Sequence, residues 1–361
     1  MRILIVLTGG TIGSESGANG LRPANPEHQA EIIAALIGQY VNVNNLVLIV
    51  QQVLNSLSEN FHPTDWGYVC SKTLTLAKFH SADGVLILHG TDTLAYSAAA
   101  LSFYEPLSKH WPVVISGANK PMTAIDSDGP INVSQSISTL EYLIDNKLNG
   151  CFVVFNGTGD PDKGKIFLAS RIKKFSWAGY CFRNFNLGDH SWIGEVQGCN
   201  VALNHDFLEI YPCHERFPSL MPEFASDKIE FYAIHPGFDP VILESVAKKE
   251  KIVAVLLAIY NSGTGPVQGL GSILKTLSVL REHDKLIFAV SQHEGEGGMQ
   301  MNIYETSHAL RAEGMISLHD MMMESAIPKL MLAAGNFSDR DDIRRFMNTN
   351  LAGELFVGAG E

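Results

Sequence analysis

The sequence lacks an excess of basic charge and has no long apolar run. Its 361 residues carry a formal net charge of -12 at pH 7, whereas a nucleic-acid-binding surface must be basic to neutralise phosphates. No apolar run approaches the roughly 20 residues that a transmembrane helix requires. We therefore expect no nucleic acid and no membrane among the partners of this protein.

Cysteine and histidine are present without the spacing of a disulfide framework or a metal site. The five cysteines are odd in number and lie far apart in the chain. The 13 histidines form no HExxH motif or comparable zinc-ligand pattern. These patterns predict free thiols, no metal and no cofactor.

The first residues of the chain do not resemble an export signal. The apolar run at residues 3–7 is shorter than the roughly 7–15 residues of a signal-peptide core, and a glycine pair follows it without a cleavage site. Unpaired cysteines are typical of a reducing compartment. Both observations favour a cytoplasmic location.

Composition and periodicity predict the fold. Hydrophobic residues make up 46% and charged residues 18%, as in globular enzymes, and the length suits two domains. Because the apolar runs are continuous instead of alternating, they are typical of parallel strands buried on both faces. These runs are residues 3–7, 46–50, 85–88, 113–116 and 152–155, with helices predicted at 93–104 and 131–144. The prediction is an α/β fold with a doubly wound, mostly parallel sheet.

A second group of apolar runs follows a segment rich in proline and charge. The predicted strands here are residues 231–234, 252–258 and 286–291, and the predicted helices are 270–280, 306–311 and 321–334. We therefore predict a larger N-terminal domain at residues 1–211, a linker at 212–228 and a smaller α/β C-terminal domain at 229–361.

Two threonine-containing loops follow predicted strands of the N-terminal domain. The first strand ends in TGGTIG at residues 8–13, and the third ends in HGTDT at residues 89–93. Ligands of open α/β sheets bind at the carboxyl ends of the strands, so both loops should face one crevice. Each loop alone has a plainer interpretation. The first is also compatible with a simple turn or a phosphate loop, although it has neither GxGxxG spacing nor a Walker lysine, and the second with a helix cap.

Together the loops predict two threonine hydroxyls, those of Thr11 and Thr91, in a shared crevice. A threonine hydroxyl becomes a useful nucleophile only when a neighbouring group accepts its proton. Asp92 adjoins Thr91, and a lysine from RIKK at residues 171–174 is a candidate to complete a proton relay. Since loop lysines are usually only solvated, these residues alone do not choose between the two lysines.

The two loops together resemble the active-site motifs of the bacterial L-asparaginase family. TGGTIG is similar to the family's first motif, and LHGTDTLAYSAAALSF at residues 88–103 is similar to its second. The similarity continues through SGAN at 116–119, DGPIN at 128–132, IHPG at 234–237 and YNSGTG at 260–265. The resemblance implies that a cytoplasmic homodimer or homotetramer hydrolyses a small amino-acid amide, L-asparagine, to aspartate and ammonia through a threonine acyl-enzyme.

The resemblance also implies roles for individual residues. Thr11 matches the acylated nucleophile of the family. Thr91 and Asp92 match the second threonine and its carboxylate partner, which also binds the substrate's α-amino group. Ser58 and Glu59 resemble the pair that holds the α-carboxylate and α-amino groups.

Two further roles come from the resemblance. Ala118 resembles the residue whose backbone carbonyl lies near the leaving amide. The family's lysine ends an Ala-x-Arg-x-x-Lys run, and ASRIKK at residues 169–174 fits this run with Lys174. Counting back from Phe182 instead favours Lys173. We predict that Lys174 is the lysine of the relay.

Three features depart from the family's pattern. Leu21 stands where the family has a tyrosine in its mobile first loop, so either Thr11 is activated by another group or another tyrosine enters the site. The segment at residues 157–168 is longer than usual. Thr264 stands where many relatives have an asparagine that reaches a neighbouring subunit's site.

Two other functions remain compatible with these residues. A related amidohydrolase that acts on glutamine or on a glutamyl-tRNA amide would use the same threonine chemistry, although the acidic charge disfavours the tRNA substrate. A catalytically weak amino-acid-binding homologue would keep Ser58, Glu59 and Asp92 and would tolerate Leu21. Release of ammonia from asparagine separates the enzyme from the binding protein.

Overall fold

The computed structural model describes residues 1–17, 20–23, 45–156, 163–176, 181–187, 191–204, 219–293 and 298–355, together with residues 25, 31, 33, 206 and 217. These residues form two compact units. Residues 1–184, 191–206 and 217–222 contribute to the larger unit, and residues 185–187 and 223–355 contribute to the smaller. Of the predicted linker, residues 212–216 and 218 lie outside the described residues.

The larger unit contains strands and helices in alternation over much of its length. Its strands are β1 (Arg2–Gly9), β2 (Ser14–Gly17), β3 (Gly20–Pro23), β4 (Val47–Ser56), β5 (Gly84–Leu88), β6 (Pro112–Ser116), β7 (Gly150–Asn156), β8 (Lys163–Leu168), β9 (Ile172–Lys174), β10 (Phe182–Asn184), β11 (Gly194–Gln197) and β12 (Asn200–Leu203). Its helices are α1 (Pro63–Phe79), α2 (Leu94–Phe103), α3 (Glu105–Ser108) and α4 (Gly129–Asp145).

Eight of these strands form one sheet in the order β12-β11-β8-β7-β6-β5-β1-β4. The five strands from β4 to β7 run parallel, whereas β8, β11 and β12 are antiparallel to their neighbours. Every residue of β5 and β6 is buried, as expected for strands that are covered on both faces. The predicted fold class is therefore confirmed. Four of the five predicted apolar runs are central strands, whereas the run at residues 46–50 falls on the edge strand β4.

Helix α1 was not predicted from the sequence. It begins with Pro63 at its first position and with a capping box, in which the backbone N–H of His62 donates to Asp65 Oδ2 at 2.7 Å. The ring of His62 accepts from Thr64 N at 3.4 Å. Histidine is not among the usual N-cap residues, so this signal is weak in the sequence alone.

The smaller unit has a four-stranded parallel sheet of its own in the order β13-β14-β15-β16. These strands are β13 (Ile229–Ala233), β14 (Ala254–Ile259), β15 (Leu286–Ser291) and β16 (Met315–Ser317). Its helices are α5 (Val241–Ala247), α6 (Leu274–Glu282), α7 (Glu305–Ala312), α8 (Met323–Asn336) and α9 (Arg340–Asn348). Helix α6 begins four residues later than predicted, because Gly269 has a φ of 68° and opens a 3₁₀ turn instead.

No helix within the described ranges is both long enough and apolar enough to cross a membrane.

Candidate active site

Four loops meet at the carboxyl edge of the larger sheet, after β1, β4, β5 and β6. The first loop passes so close to its neighbours that only glycine fits at two positions. A Cβ on Gly9 would lie 2.3 Å from Ser56 O, and a Cβ on Gly10 would lie 2.4 Å from the Cα of Gly90. Both glycines also have positive φ, 104° and 80°. The TGG sequence after β1 is therefore required for the close approach of three loops.

Thr11 is the first residue of a 3₁₀ turn over Thr11–Gly13 and is half-buried. The turn is fixed from inside by the carbonyl of Gly10, which accepts from Gly13 N at 3.1 Å and from Ser14 Oγ at 2.9 Å. The backbone N–H of Gly10 in turn donates to Ser56 O at 2.9 Å. The hydroxyl-bearing residue thus sits on a rigid turn at the edge of the sheet.

The loop after β4 brings Ser58 beside the loop after β5. A Cβ on Gly90 would lie 2.6 Å from Ser58 Oγ, so these two residues are in close contact. Thr93 occupies the N-cap position of α2 but does not cap it, because its hydroxyl donates to Ser58 O at 2.8 Å. Ser58 is buried, whereas the adjacent Glu59 is exposed. The two predicted substrate-binding residues therefore differ in their access to solvent.

Lys174 connects the second threonine with its neighbouring carboxylate. Its Nζ donates to Thr91 Oγ1 at 2.8 Å and to Asp92 Oδ1 at 2.6 Å. Thr91 is buried, the Lys174 side chain is 20% exposed and the Asp92 side chain is 62% exposed. Lys174 thus joins a buried hydroxyl to a carboxylate that faces solvent.

The strand β9 explains why Lys174 makes these contacts. Residues of β9 pair with β10 in an antiparallel register, in which Lys174 lies opposite Phe182 and Lys173 lies opposite Arg183. Consecutive side chains of a strand point to opposite faces, so the two lysines are directed to opposite sides of this small sheet. The structure brings Lys174 to Thr91 and Asp92.

His89 lies buried beside this group of residues. Its Nδ1 lies 2.7 Å from the carbonyl oxygen of Gly90, and because a carbonyl only accepts, Nδ1 carries the proton. The Phe61 ring packs against it in a T-shaped arrangement, with 4.7 Å between the ring centroids. Burial lowers the pKa of His89 to about 4, so the ring is neutral at pH 7.

Ala118, predicted to present a carbonyl to the leaving amide, is fully buried in the loop after β6. A Cβ on Gly117 would lie 2.3 Å from His89 O, so this loop packs directly on the loop after β5. Asp128 and Asn132 hold the loop from the other side. Neither residue was predicted to have a role, although an aspartate before Gly-Pro at a helix start is a visible signal.

Two other predicted features fall partly outside the described residues. Leu21 lies in β3, opposite Ser16 of β2, and its side chain is outside the described part. Residues 157–162 of the longer segment also lie outside it. Among the described residues, no group of three or more histidine, cysteine or acidic side chains could hold a metal ion.

Two family models match this chain. One is described as the N-terminal domain of asparaginase and matches residues 2–208, and the other is described as the glutaminase/asparaginase C-terminal domain and matches residues 228–347. The chain belongs to the asparaginase family. The family resemblance inferred from the two threonine loops is therefore confirmed.

Individual members of the asparaginase family match the chain along its whole length. An L-asparaginase from Thermococcus kodakarensis is 28% identical over 98% of this chain and 99% of its own sequence. Its solved structure has a TM-score of 0.80 and covers 99% of this chain and 100% of that chain. L-asparaginase 1 of Escherichia coli K12 is 26% identical over 98% of this chain and 97% of its own length.

A second kind of relative is also similar to this asparaginase-family chain. One of the subunits of a glutamyl-tRNA(Gln) amidotransferase from Methanosphaera stadtmanae is 26% identical over 97% of this chain and 76% of its own sequence. Family membership thus defines the fold, and relatives of the two kinds have different substrates in their names.

Proposed function

We propose that the protein hydrolyses L-asparagine to L-aspartate and ammonia, with Thr11 as the nucleophile. The contact of Lys174 with both Thr91 and Asp92 carries this proposal, because it supplies a group for proton transfer in the crevice that we propose Thr11 to share. The end-to-end similarity to the L-asparaginase of Thermococcus kodakarensis supports the choice of substrate.

In the first half-reaction Thr11 becomes acylated. The Thr11 hydroxyl loses its proton by way of Thr91 to the Lys174–Asp92 pair, and Oγ forms a bond with the side-chain amide carbon of asparagine. The oxyanion is stabilised by backbone N–H groups of the two threonine loops, each worth about 3–4 kcal/mol when well placed. The C–N bond then breaks, the nitrogen takes a proton from the Lys174 ammonium, and ammonia leaves.

In the second half-reaction water releases aspartate. A water molecule loses a proton to Lys174 while its oxygen bonds to the ester carbon. The bond between that carbon and Thr11 Oγ breaks, and Oγ regains a proton. Asp92 compensates the charge of the ammonium in both halves, since its carboxylate lies 2.6 Å from Lys174 Nζ. Such general acid–base steps contribute roughly 10²–10⁴-fold in rate.

Because Leu21 stands where the family has a tyrosine, the proton relay of Thr91, Lys174 and Asp92 is more important here than it would be beside a tyrosine. A leucine side chain has no group that can exchange a proton, so β3 offers none at this position. Thr91 and Lys174 then act directly on Thr11. Without a tyrosine hydroxyl at this position, Thr91 and Lys174 carry out the proton transfer to and from Thr11.

Substrate orientation is assigned to residues at the opposite end of the amino acid. Ser58 and Glu59 hold the α-carboxylate and α-amino groups, and Asp92 adds a second negative charge near the α-ammonium. Buried Ser58 is fixed through its backbone carbonyl by Thr93. Ala118 accepts a hydrogen bond from the leaving amide through its carbonyl.

Hydrolysis of a glutamyl-tRNA amide is the second candidate, because an amidotransferase subunit is among the similar proteins. The net charge of -12 opposes it, since tRNA carries a negative charge on every phosphate.

We also propose a cytoplasmic homodimer or homotetramer, which sedimentation of the active protein tests. A strictly monomeric and fully active protein would contradict this assembly.

The decisive experiment measures ammonia release by purified protein from asparagine, from glutamine and with glutamyl-tRNA. The Thr11→Val variant keeps the shape of the side chain and removes only the hydroxyl, so it should lose turnover by more than about 10³-fold. Thr75→Val is the matched control, because Thr75 is exposed on α1 and bonds only within that helix in the described contacts. Binding of asparagine without ammonia release would overturn the proposed hydrolase.

A further inference from the structure

Asp128 binds the back of the loop that carries Ala118. Its two carboxylate oxygens accept from the backbone N–H of Asn119 at 2.9 and 3.0 Å, and Oδ1 also accepts from Lys120 N at 3.2 Å. The side-chain amides of Asn119 and Asn132 donate to Oδ2 at 3.2 and 3.3 Å. One carboxylate thus gathers donors from the loop and from helix α4.

The side chain of Asp128 does not cap helix α4, which begins at the next residue. Asp128 occupies the N-cap position of α4, where an aspartate normally accepts from N–H groups of the first turn, yet its side chain makes no such bond. Pro130 has no N–H to offer, and Gly129 N donates to Ser127 Oγ at 3.0 Å instead. The carboxylate is therefore directed back to the loop.

Asn132 holds the residue before Ala118. Its Nδ2 donates to Gly117 O at 2.9 Å, and its Oδ1 accepts from Asn156 N at the end of β7 at 2.8 Å. The Asn132 side chain is fully buried. Both peptide groups that flank Ala118 are consequently fixed, one through Gly117 O and the other through Asn119 N.

Because the peptide group is planar, these hydrogen bonds also fix the direction of the Ala118 carbonyl. The C=O of Ala118 and the N–H of Asn119 belong to one planar trans peptide, in which they point in opposite directions. Because Asp128 captures the N–H, the Ala118 carbonyl is aimed away from Asp128. The same loop is fastened to the turn of Thr11, since Met122 N donates to Ile12 O at 3.2 Å.

We propose that Asp128 is a positioning residue, which aims the Ala118 carbonyl at the nitrogen that leaves during acylation of Thr11. This inference rests on the proposed function and deepens it. Once Thr11 Oγ has added to the amide carbon, the lone pair of the nitrogen is no longer conjugated with a C=O group. The Ala118 carbonyl accepts one N–H of this nitrogen and so turns the lone pair toward the Lys174 ammonium. The nitrogen then receives its proton as the C–N bond breaks, and it departs as ammonia.

The test compares two leaving groups in the full-length protein. The Asp128→Asn variant keeps the size of the side chain, but its NH₂ group faces donors and can no longer hold them all. With L-asparagine, kcat should fall by roughly 10- to 100-fold, because the carbonyl loses its aim. With L-aspartate β-methyl ester, whose methoxy leaving group has no N–H to donate, kcat should fall by less than about threefold.

Two further variants serve as a control and as an alternative to Asp128→Asn. Ser127→Ala removes two hydrogen bonds of the same loop, those with Lys120 O and Gly129 N, without touching the Ala118–Asn119 peptide. It should leave the amide-to-ester ratio within about twofold of the wild type. If Asp128→Asn does not fold, Asp128→Glu keeps the charge and moves it by one methylene, and the same selective loss on the amide is expected.

The outcomes separate this inference from the proposed function. An equal loss on amide and ester, or no loss on the amide, overturns the positioning role while the wild type remains an asparagine hydrolase. A wild-type protein that hydrolyses neither substrate overturns the proposed function itself, and the positioning role with it. A selective loss on the amide supports both.

Discussion

Lys174 Nζ lies 2.8 Å from Thr91 Oγ1, although the two residues are 83 positions apart in the chain. Lys174 ends β9, which pairs with β10 in a small sheet separate from the eight-stranded one. The placement of that small sheet brings the amine to the buried threonine. The register of β9 is therefore part of the candidate catalytic machinery.

Replacement of Lys174 by methionine should remove most of the activity. Methionine keeps an unbranched chain of similar length but can neither accept nor donate a proton. We expect kcat with asparagine to fall by roughly 10²–10⁴-fold, the usual contribution of a general base. The urea-induced unfolding midpoint, measured in parallel, should change little, because the Lys174 side chain is partly exposed.

Lys173→Met is the matched control for this prediction. Lys173 lies opposite Arg183 in the antiparallel pair and is directed to the other face of β9. Its replacement should change kcat by less than about threefold. The reverse pattern, with Lys173→Met inactive and Lys174→Met active, would show that the count back from Phe182 gives the correct lysine.

The burial of His89 predicts a specific loss of stability in acid. Its pKa is lowered from 6.5 to about 4 in the folded protein, so the unfolded chain binds a proton that the folded chain does not bind between these pH values. The free energy of unfolding should therefore fall as pH drops from about 6.5 toward about 4. By linkage, this residue accounts for a loss of about 2 kcal/mol at pH 5 relative to pH 7.

Urea unfolding of the wild type and of His89→Gln at pH 7 and pH 5 measures this effect. Glutamine can donate to the Gly90 carbonyl but does not titrate in this range. Carboxylates contribute equally in both proteins, so the difference between their pH dependences isolates His89. Identical losses in the two proteins would show that His89 is not held neutral by burial.

Much of the fold could be predicted from the sequence because the central strands are continuous apolar runs. The strand β8 has only a short apolar run at residues 166–168, because Lys163, Gly164 and Lys165 form its first half. Lys165 forms an ion pair with Glu195 of β11, and its Nζ lies 3.7 Å from the centroid of the Trp192 ring. A buried lysine of this kind looks like a loop residue until its partners on a neighbouring strand are known.

In the candidate site, too, some residues could be predicted from the sequence and others could not. Thr11 and Thr91 could be predicted because each closely follows an apolar strand, and the carboxyl ends of parallel strands meet at one edge. Asp128 could not be assigned a role, because its partners Asn119 and Lys120 precede it by 9 and 8 residues, across a turn. A side chain that turns back from a helix start looks, in sequence, like an ordinary cap.

The smaller unit contains a buried ion pair whose disruption should be costly. Lys329 Nζ lies 2.6 Å from Glu354 Oε1, and both side chains are fully buried. Lys329 also donates to Thr349 O at 2.6 Å, and Glu354 accepts from the backbone N–H of Ala352 at 2.7 Å. Glu354→Gln removes the negative charge from this buried pair, so the free energy of unfolding should fall by about 3–5 kcal/mol.

A double-mutant cycle with Lys329→Met checks that prediction. If the two charges stabilise each other, the double variant should lose less free energy of unfolding than the two single variants lose in sum. The measurement is urea unfolding of the four proteins at pH 7. Strictly additive losses would show that the pair contributes no coupling energy.

The proposed placement of substrate groups sets the length of the amino acid that fits. Ser58 and Glu59 hold one end of the substrate, and Thr11 attacks the other. The Thr11 turn is fixed by the hydrogen bond from Gly10 N to Ser56 O, and the Ser58 loop is fixed by Thr93. Because neither end can move freely, the distance between them acts as a gauge of side-chain length.

L-Asparagine should therefore be strongly preferred over L-glutamine, which carries one more methylene. In binding alone a methylene is worth only about 1–3 kcal/mol. Displacement of the amide carbon by about 1 Å from Thr11 costs roughly another 10²-fold in rate. We expect kcat/KM for asparagine to exceed that for glutamine by roughly 10²-fold or more, measured as ammonia release under identical conditions. Equal values for the two amides, or a preference for glutamine, would overturn the choice of asparagine and leave the threonine chemistry intact.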